Sequence, residues 1–270
     1  MMPWSVKRGE VITIFCDVWR DDPNTLAWLK ERASSNKGMG VRQSAVQELA
    51  RGWMVDPDTL PWLKERAQSD ENWDVRQTAV QELASGWKND ISTLPWLKER
   101  AQSDEHWDVR QCAVQELVRG WKDDPNTLPW LKGRSQFDES RFVRQRAVRE
   151  VATGWKDEPD TLPWLKERAQ SDEHWDVRQC AVKELARGWK DDPETLPWLK
   201  ERSQFDESRF VRQRAVREVA TGWKDEPDTL PWLKELAQFK ERRTVRKSAR
   251  QELALGWKDD PEIQAFLKGL

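Results

Sequence analysis

The chain has no tyrosine, only two histidines and only three cysteines in 270 residues. It also lacks the common signatures of catalysis. GxxxxGK[ST], CxxC and HExxH are all missing, which removes a phosphate-cradling loop, a paired-thiol centre and a zinc-protease helix from consideration. Neither sign of charge dominates: 46 Lys and Arg stand against 48 Asp and Glu, a net charge of -2. That balance disfavours a dedicated polyanion binder while leaving room for a local basic stripe. Long apolar runs are absent as well. VITIF, from Val11 to Phe15, is too short for a signal-peptide core, and nothing approaches membrane-spanning length. The expected location is the cytoplasm, away from any membrane.

The cysteines, Cys16, Cys112 and Cys180, form no disulfide framework. Cys112 and Cys180 occupy the same slot 68 residues apart. Helices packed ~8–10 Å apart separate them by roughly 20 Å, whereas a disulfide needs Cα atoms within about 7 Å. His106 and His174 share a slot in the same way, which makes a joint metal site implausible and a duplicated structural or surface residue the simpler reading. The expectation is no enzyme, no metal and no cofactor.

What the chain has in abundance is tryptophan, 19 in all. Trp19, Trp53, Trp87, Trp121, Trp155, Trp189, Trp223 and Trp257 recur every 34 residues. Trp28, Trp62, Trp96, Trp130, Trp164, Trp198 and Trp232 keep the same period, with Phe266 in the eighth slot. Fixed self-similarity at this period predicts stacked repeats, each touching only its neighbours. Eight helix pairs at ~8–10 Å each predict an all-helical solenoid roughly 70–80 Å long. Burying a Trp removes ~150–250 Å² from water, worth at most ~4–6 kcal/mol, so both Trp series are read as core.

Residues 56–87 represent one unit. Asp56-Pro57 and Pro61 mark the start of a first helix over roughly Leu60 to Gln68. Leu63, Ala67 and Trp62 fall on its apolar side. The Lys64-Glu65-Arg66 triplet reads as a solvated face. A linker, SDENW, leads to a second helix starting near Asp74, where Asp74 and Gln77 have capping-box spacing. Ala79, Val80, Leu83, Ala84 and Trp87 make a wide apolar arc suited to contacts on several sides. Arg76 projects into the middle of that arc, and Arg42, Arg110, Arg144, Arg178, Arg212 and Arg246 repeat it. A buried guanidinium needs a partner. Six residues earlier stand Asp70, Asp104, Asp138, Asp172 and Asp206, which predicts a charge-assisted ladder with each Arg on the Asp of its own repeat. Asn36 and Lys240 break the acid series at the ends.

An Asp-Pro…Leu-Pro first helix followed by D…(D)VR..AV..L resembles a HEAT repeat, in particular the short bacterial HEAT-like form. The resemblance covers nearly the whole chain. It implies an Asp–Arg ladder in the interior and second helices lining the concave face. The tetratricopeptide repeat shares the 34-residue period, but its Gly and Tyr are missing from these first helices. The predicted organisation is a single solenoid over 1–270: an N-terminal half repeat at 1–19, seven two-helix repeats over 20–258, and a C-terminal half repeat at 259–270. Val11, Ile12 and Phe15 are the apolar positions of the first half repeat, and Gln264 replaces the usual Leu of the last. Residues 121–167 match residues 189–235 at all but two of 47 positions, which indicates duplication of a two-repeat block.

Candidate contact residues lie where the repeats differ. Trp73, Trp107 and Trp175 share a slot with Arg141, Arg209 and Arg243, so the slot is read as partly exposed. On the polar face of the second helices, Arg146, Arg149, Lys183, Arg214 and Arg217 form a basic strip, extended by Arg242, Arg243, Lys247 and Arg250. Glu82, Glu150 and Glu218 run beside it and blunt its field. The expected function is a scaffold for an unidentified protein partner, resembling the sensor regions attached to bacterial NACHT-type signalling ATPases. Two alternatives stay open: nucleic-acid binding along the strip, as in HEAT-like DNA glycosylases, and a chromophore-lyase role. Nucleic acid is disfavoured by the net charge and the parallel Glu series.

Overall fold

The computed structural model describes residues 8–35, 38–240 and 242–270, without the side chains of 8–11, 15 and 17. Expectations resting on the side chains of Val11, Phe15 and Asn36 therefore lie outside the described residues. Every regular element among the described residues is an α-helix. They run α1 (Arg8–Trp19), α2 (Pro23–Ser34), α3 (Met39–Gly52), α4 (Thr59–Ser69), α5 (Trp73–Gly86), α6 (Thr93–Ser103) and α7 (Trp107–Trp121). Next come α8 (Thr127–Phe137), α9 (Arg141–Gly154), α10 (Thr161–Ser171), α11 (Trp175–Gly188) and α12 (Thr195–Phe205). The last are α13 (Arg209–Gly222), α14 (Thr229–Gln238), α15 (Arg243–Gly256) and α16 (Pro261–Lys268). They group into two compact units, Met1–Trp130 and Leu131–Leu270.

The connection between repeats is a string of short hydrogen-bonded turns. The Trp53 N–H bonds back to the Leu49 carbonyl at 3.1 Å, and the Asp56 N–H bonds to the Trp53 carbonyl at 3.1 Å. The Thr59 N–H then reaches the Asp56 carbonyl at 3.1 Å, and the Asp56 Oδ1 accepts from the Asp58 N–H at 3.0 Å. An Asp followed by Pro suits this turn, because its carboxylate takes a local amide while Pro fixes the next φ. The helix therefore begins at Thr59, one residue before the predicted start.

Within the first unit, α3 packs on α1, and α5 packs on α3 and α7, while α2, α4 and α6 each lie against their own second helix. The second unit repeats this, with α11 between α9 and α13 and α15 on α13. Second helices thus form the continuous layer of each unit, as their wide apolar arcs require. Among the described residues the largest fully buried side chains are mostly leucines, such as Leu63 and Leu97 from first helices and Leu83 and Leu117 from second helices, with Ile263 in α16.

The tryptophans are a correction to the sequence reading. Among the described residues only Trp223 is buried; Trp164, Trp175, Trp189, Trp198 and Trp232 are partly buried against the Leu–Val–Ala core. Leu, Val and Ala fill the core positions, so most of the indoles pack against its margin and stay partly exposed. Long cations cover several of them. Lys132 lies 5.7 Å over Trp164, Lys200 5.6 Å over Trp232, and Arg66 5.9 Å over Trp62. The Lys-Glu-Arg triplets are consequently not a purely solvated face: Arg100 and Arg168 are buried and bond Glu99 and Glu167 at 2.7 Å.

Candidate interaction surface

Helices α5, α7, α9, α11 and α13 each start immediately after a tight turn built on the ladder Asp. The Asp70 carboxylate accepts from the Asn72 N–H at 3.0 Å, and the Asn72 side chain accepts from the Asp74 N–H at 2.9 Å. The N-cap is thus Asn72 rather than Asp74. In the equivalent repeats the cap is an imidazole: His106 Nδ1 accepts from the Asp108 N–H at 3.4 Å, and His174 Nδ1 from the Asp176 N–H at 3.1 Å. The predicted capping box gives way because the helix already starts at Trp73, so the Asn72 side chain caps its first turn at the Asp74 amide and the Arg76 amide is taken by the Asn72 carbonyl.

Arg42, Arg76, Arg110, Arg144 and Arg178 of the ladder series are buried, whereas Arg212 and Arg246 are half-buried, and the carboxylate partner differs from the sequence expectation. Arg76 Nη1 donates to the backbone carbonyl of Asp70 at 2.8 Å, while its Nε and Nη2 both donate to the Asp104 carboxylate at 3.0 Å. Arg144 does the same with the Asp138 carbonyl (2.8 Å) and the Asp172 carboxylate (3.0 and 3.1 Å). Arg42 reaches the Asp70 carboxylate at 3.2 Å, and Arg178 joins the Asp172 carbonyl at 2.7 Å to the Asp206 carboxylate at 3.3 Å. Arg110 holds the Asp104 carbonyl at 2.8 Å. Each of Arg42, Arg76, Arg144 and Arg178 thus takes its carboxylate from the next repeat. Arg212 ends this pattern, since Lys240 stands where the next acid belongs. It bonds the Asp206 and Glu207 carbonyls at 2.5 and 2.9 Å, and burial, with Arg242 adding to it, lowers its pKa. The ladder is an inter-repeat fastener, committed inside the fold.

Trp73, Trp107 and Trp175 lie in the first turns of α5, α7 and α11 rather than in the linker, and they are half-buried, in line with a partly exposed slot. Trp73 stacks on His106 at 4.5 Å and 5°, and His106 on Trp107 at 5.9 Å. In the second unit Arg141 Nη1 contacts His174 Nε2 at 2.7 Å, His174 stacks on Trp175 at 5.6 Å, and Trp175 stacks on Phe210 at 4.4 Å. Ring surface that reads as available in the sequence is spent largely on the neighbouring repeat.

The basic strip is the part of the candidate set that faces outward. Arg149, Lys183 and Arg217 are exposed; Arg146 and Arg214 are half-buried. A series of glutamates lies behind them. Arg146 Nε lies 2.8 Å from the Glu150 carboxylate, Arg214 Nη1 3.2 Å from that of Glu218, and Arg149 Nε 3.8 Å from that of Glu184, which is buried. Arg250 is drawn inward to the Ala237 carbonyl at 2.9 Å, and Arg242 to that of Gln204. Sequence reading placed the glutamates beside the strip. The overlooked signal was that this slot holds Glu in every second helix from α3 to α15 while its neighbours change.

Burial raises the pKa values of Glu150 and Glu218, and the nearby cations only partly oppose it: Arg146 and Arg149 for Glu150, chiefly Arg214 and Lys183 for Glu218. Such groups hold protons more readily folded than unfolded, so their favourable contribution is complete below the unfolded value and is lost as pH rises through the folded one. The Glu150→Gln, Glu218→Gln variant is therefore expected to gain stability relative to the parent as pH rises above the ordinary glutamate range, read by thermal unfolding across pH. A constant or narrowing difference contradicts this.

No metal-holding group of three or more His, Cys, Asp or Glu occurs among the described residues, and no described helix is long and apolar enough to cross a membrane. A search of curated proteins finds no match. Among solved structures, the Escherichia coli protein YibA is similar at 16% identity and a TM-score of 0.52, with 95% of each chain covered. The myosin chaperone UNC-45 of C. elegans, solved with an Hsp70 peptide, is similar at 14% identity and a TM-score of 0.50, over 92% of this chain and 38% of that one. The family profile described as HEAT repeats matches residues 3–84, 61–152, 94–186, 135–220 and 162–254. With stacked helix pairs in both units and family matches from residue 3 to residue 254, the chain belongs to the HEAT-repeat family.

Proposed function

We propose that the chain is a non-enzymatic cytoplasmic scaffold, a single solenoid over 1–270 whose second-helix face binds a protein partner. Its working context is a sensor or recognition module, as in the arrays attached to NACHT-type ATPases. The observation that supports this most is the pairing of the basic strip with its own glutamates. Arg146, Arg149 and Arg214 already face carboxylates, so neutralising phosphates would require these pairs to part. Mixed, pre-ordered charge fixes partner choice and register more than it supplies bulk attraction. The Hsp70 peptide bound by the similar UNC-45 structure is a property of that protein, and it makes a peptide or protein ligand a reasonable one to test here.

Duplex and single-stranded DNA are expected to show no binding near 150 mM salt. Salt-sensitive binding tighter than ~1 μM overturns the proposal, because ordinary non-specific binding is weaker than that. In parallel, Arg149→Gln, Lys183→Gln, Arg217→Gln is expected to fold normally and to lose a partner that the parent chain captures directly and in purified form. Neutral Gln is the right replacement here. Reversal to Glu would set new carboxylates beside glutamates whose pKa values are already raised by burial.

A further inference from the structure

The slot that holds Arg149, Lys183 and Arg217 in the second unit holds glutamine in the first: Gln47, Gln81 and Gln115. Gln81 and Gln115 are exposed, and their carboxamides make no hydrogen bond with any other described residue. The glutamines nearer the helix starts behave differently. Gln43 ties α3 to the Asp74 carbonyl at 3.3 Å, and Gln145 ties α9 to the Asp176 carbonyl at 2.9 Å. The free pair lines an open groove of about 640 Å³ across α3, α5 and α7. Its charges cancel within the groove: Arg51 bonds Glu82 at 3.0 Å, and Arg119 lies 3.8 Å from Glu116. Met54 and Ala50 supply apolar wall.

We propose that this groove binds an extended, uncharged peptide segment in the polyproline II conformation. A carboxamide offers one acceptor and two donors, so it can meet both the N–H and the C=O of one residue at once. Adjacent second helices pack ~8–10 Å apart. A polyproline II chain advances 3.1 Å per residue with three residues per turn, about 9.3 Å in all, and its backbone groups are unused internally. Residues three apart therefore face the same way at the spacing of successive repeats, one to each glutamine. A β-strand does not meet this condition, since its side-to-side period is two residues. The balanced charge of the groove gives no advantage to an acidic or basic ligand, and Met54 favours an apolar side chain between the anchored residues.

This inference rests on the scaffold reading, but on the other unit and on other residues. The test is selection of phage-displayed random 12-residue peptides on the full chain, followed by affinity measurement on the enriched synthetic peptides. Uncharged peptides rich in Pro and apolar residues at a spacing of three are expected, with affinities insensitive to salt. Gln81→Ala, Gln115→Ala is expected to weaken them about tenfold or more, while Arg149→Ala, Lys183→Ala, Arg217→Ala, which adds no carboxamide to the slot, leaves them unchanged. Both sites are exposed, so unaltered melting of the double variant is the expected control. Recovery of no binder, of charged peptides whose binding falls with salt, or of peptides indifferent to Gln81 and Gln115 overturns the assignment. Peptides that instead depend on Arg149, Lys183 and Arg217 overturn it while leaving the scaffold proposal standing. Loss of a protein partner from the strip variant with peptide binding intact supports both.

Discussion

Arg76→Ala is expected to destabilise the first unit by ~3–5 kcal/mol, the range for removing one member of a buried ion pair. The guanidinium and the Asp104 carboxylate are both almost wholly covered, with side-chain exposures of 4% and 2%. Without Arg76 the carboxylate loses both guanidinium donors and keeps the His106 N–H at 2.9 Å. The Asp70 carbonyl loses its bond as well. Arg119→Ala is the control, since that side chain is 75% exposed and its Glu116 contact is long at 3.8 Å; its effect should stay within ~0.5 kcal/mol. Chemical denaturation with hydrogen exchange separates the outcomes. Protection should fall first on both sides of the α5–α7 contact, because repeats transmit stability through nearest neighbours. Small and equal effects at Arg76 and Arg119 would refute the ladder.

The same residues mark what the sequence could and could not convey. Helical phase placed Arg76 in an apolar arc, and the need for a counter-charge pointed to the Asp slot; both are local, periodic properties. Choosing which Asp is another matter. In a 34-residue repeat the slot six residues before an Arg is also the slot 28 residues after it, so spacing along the chain cannot separate a partner in the same repeat from one in the next. Three-dimensional stacking decides it, and Arg76 bonds the backbone of one and the carboxylate of the other. The cap was misplaced for a related reason. Asp74 and Gln77 have the right spacing, but the helix starts two residues earlier than that box requires, and Asn72, His106 and His174 cap it from the turn. Gln81 and Gln115 read as ordinary polar face, because only a tally of hydrogen bonds shows that they are uncommitted.

The tryptophans define the period, yet the leucines beneath them should carry the larger energy. Leu185→Ala is expected to destabilise the second unit by ~2–5 kcal/mol. Leu185 has no exposed surface and belongs to a cluster with Val148, Ala152, Val177 and Ala181, so truncation leaves a cavity that packed helices close only in part. The repeats themselves supply an intermediate case. Val151 and Val219 occupy the same slot in α9 and α13 and are also fully buried, so that position accepts a smaller branched side chain. Leu185→Val should therefore lose less than the Ala variant, about 0.5–1.5 kcal/mol by analogy with Ile→Val. Trp189 packs on the same cluster but is only partly buried. Trp189→Ala should consequently cost less than the ~3–5 kcal/mol typical of a fully buried aromatic, despite removing the larger side chain. Denaturant midpoints at constant slope give all three values on one scale. If Trp189→Ala proves the most damaging of the three, the indole margin rather than the leucine spine holds the repeats together.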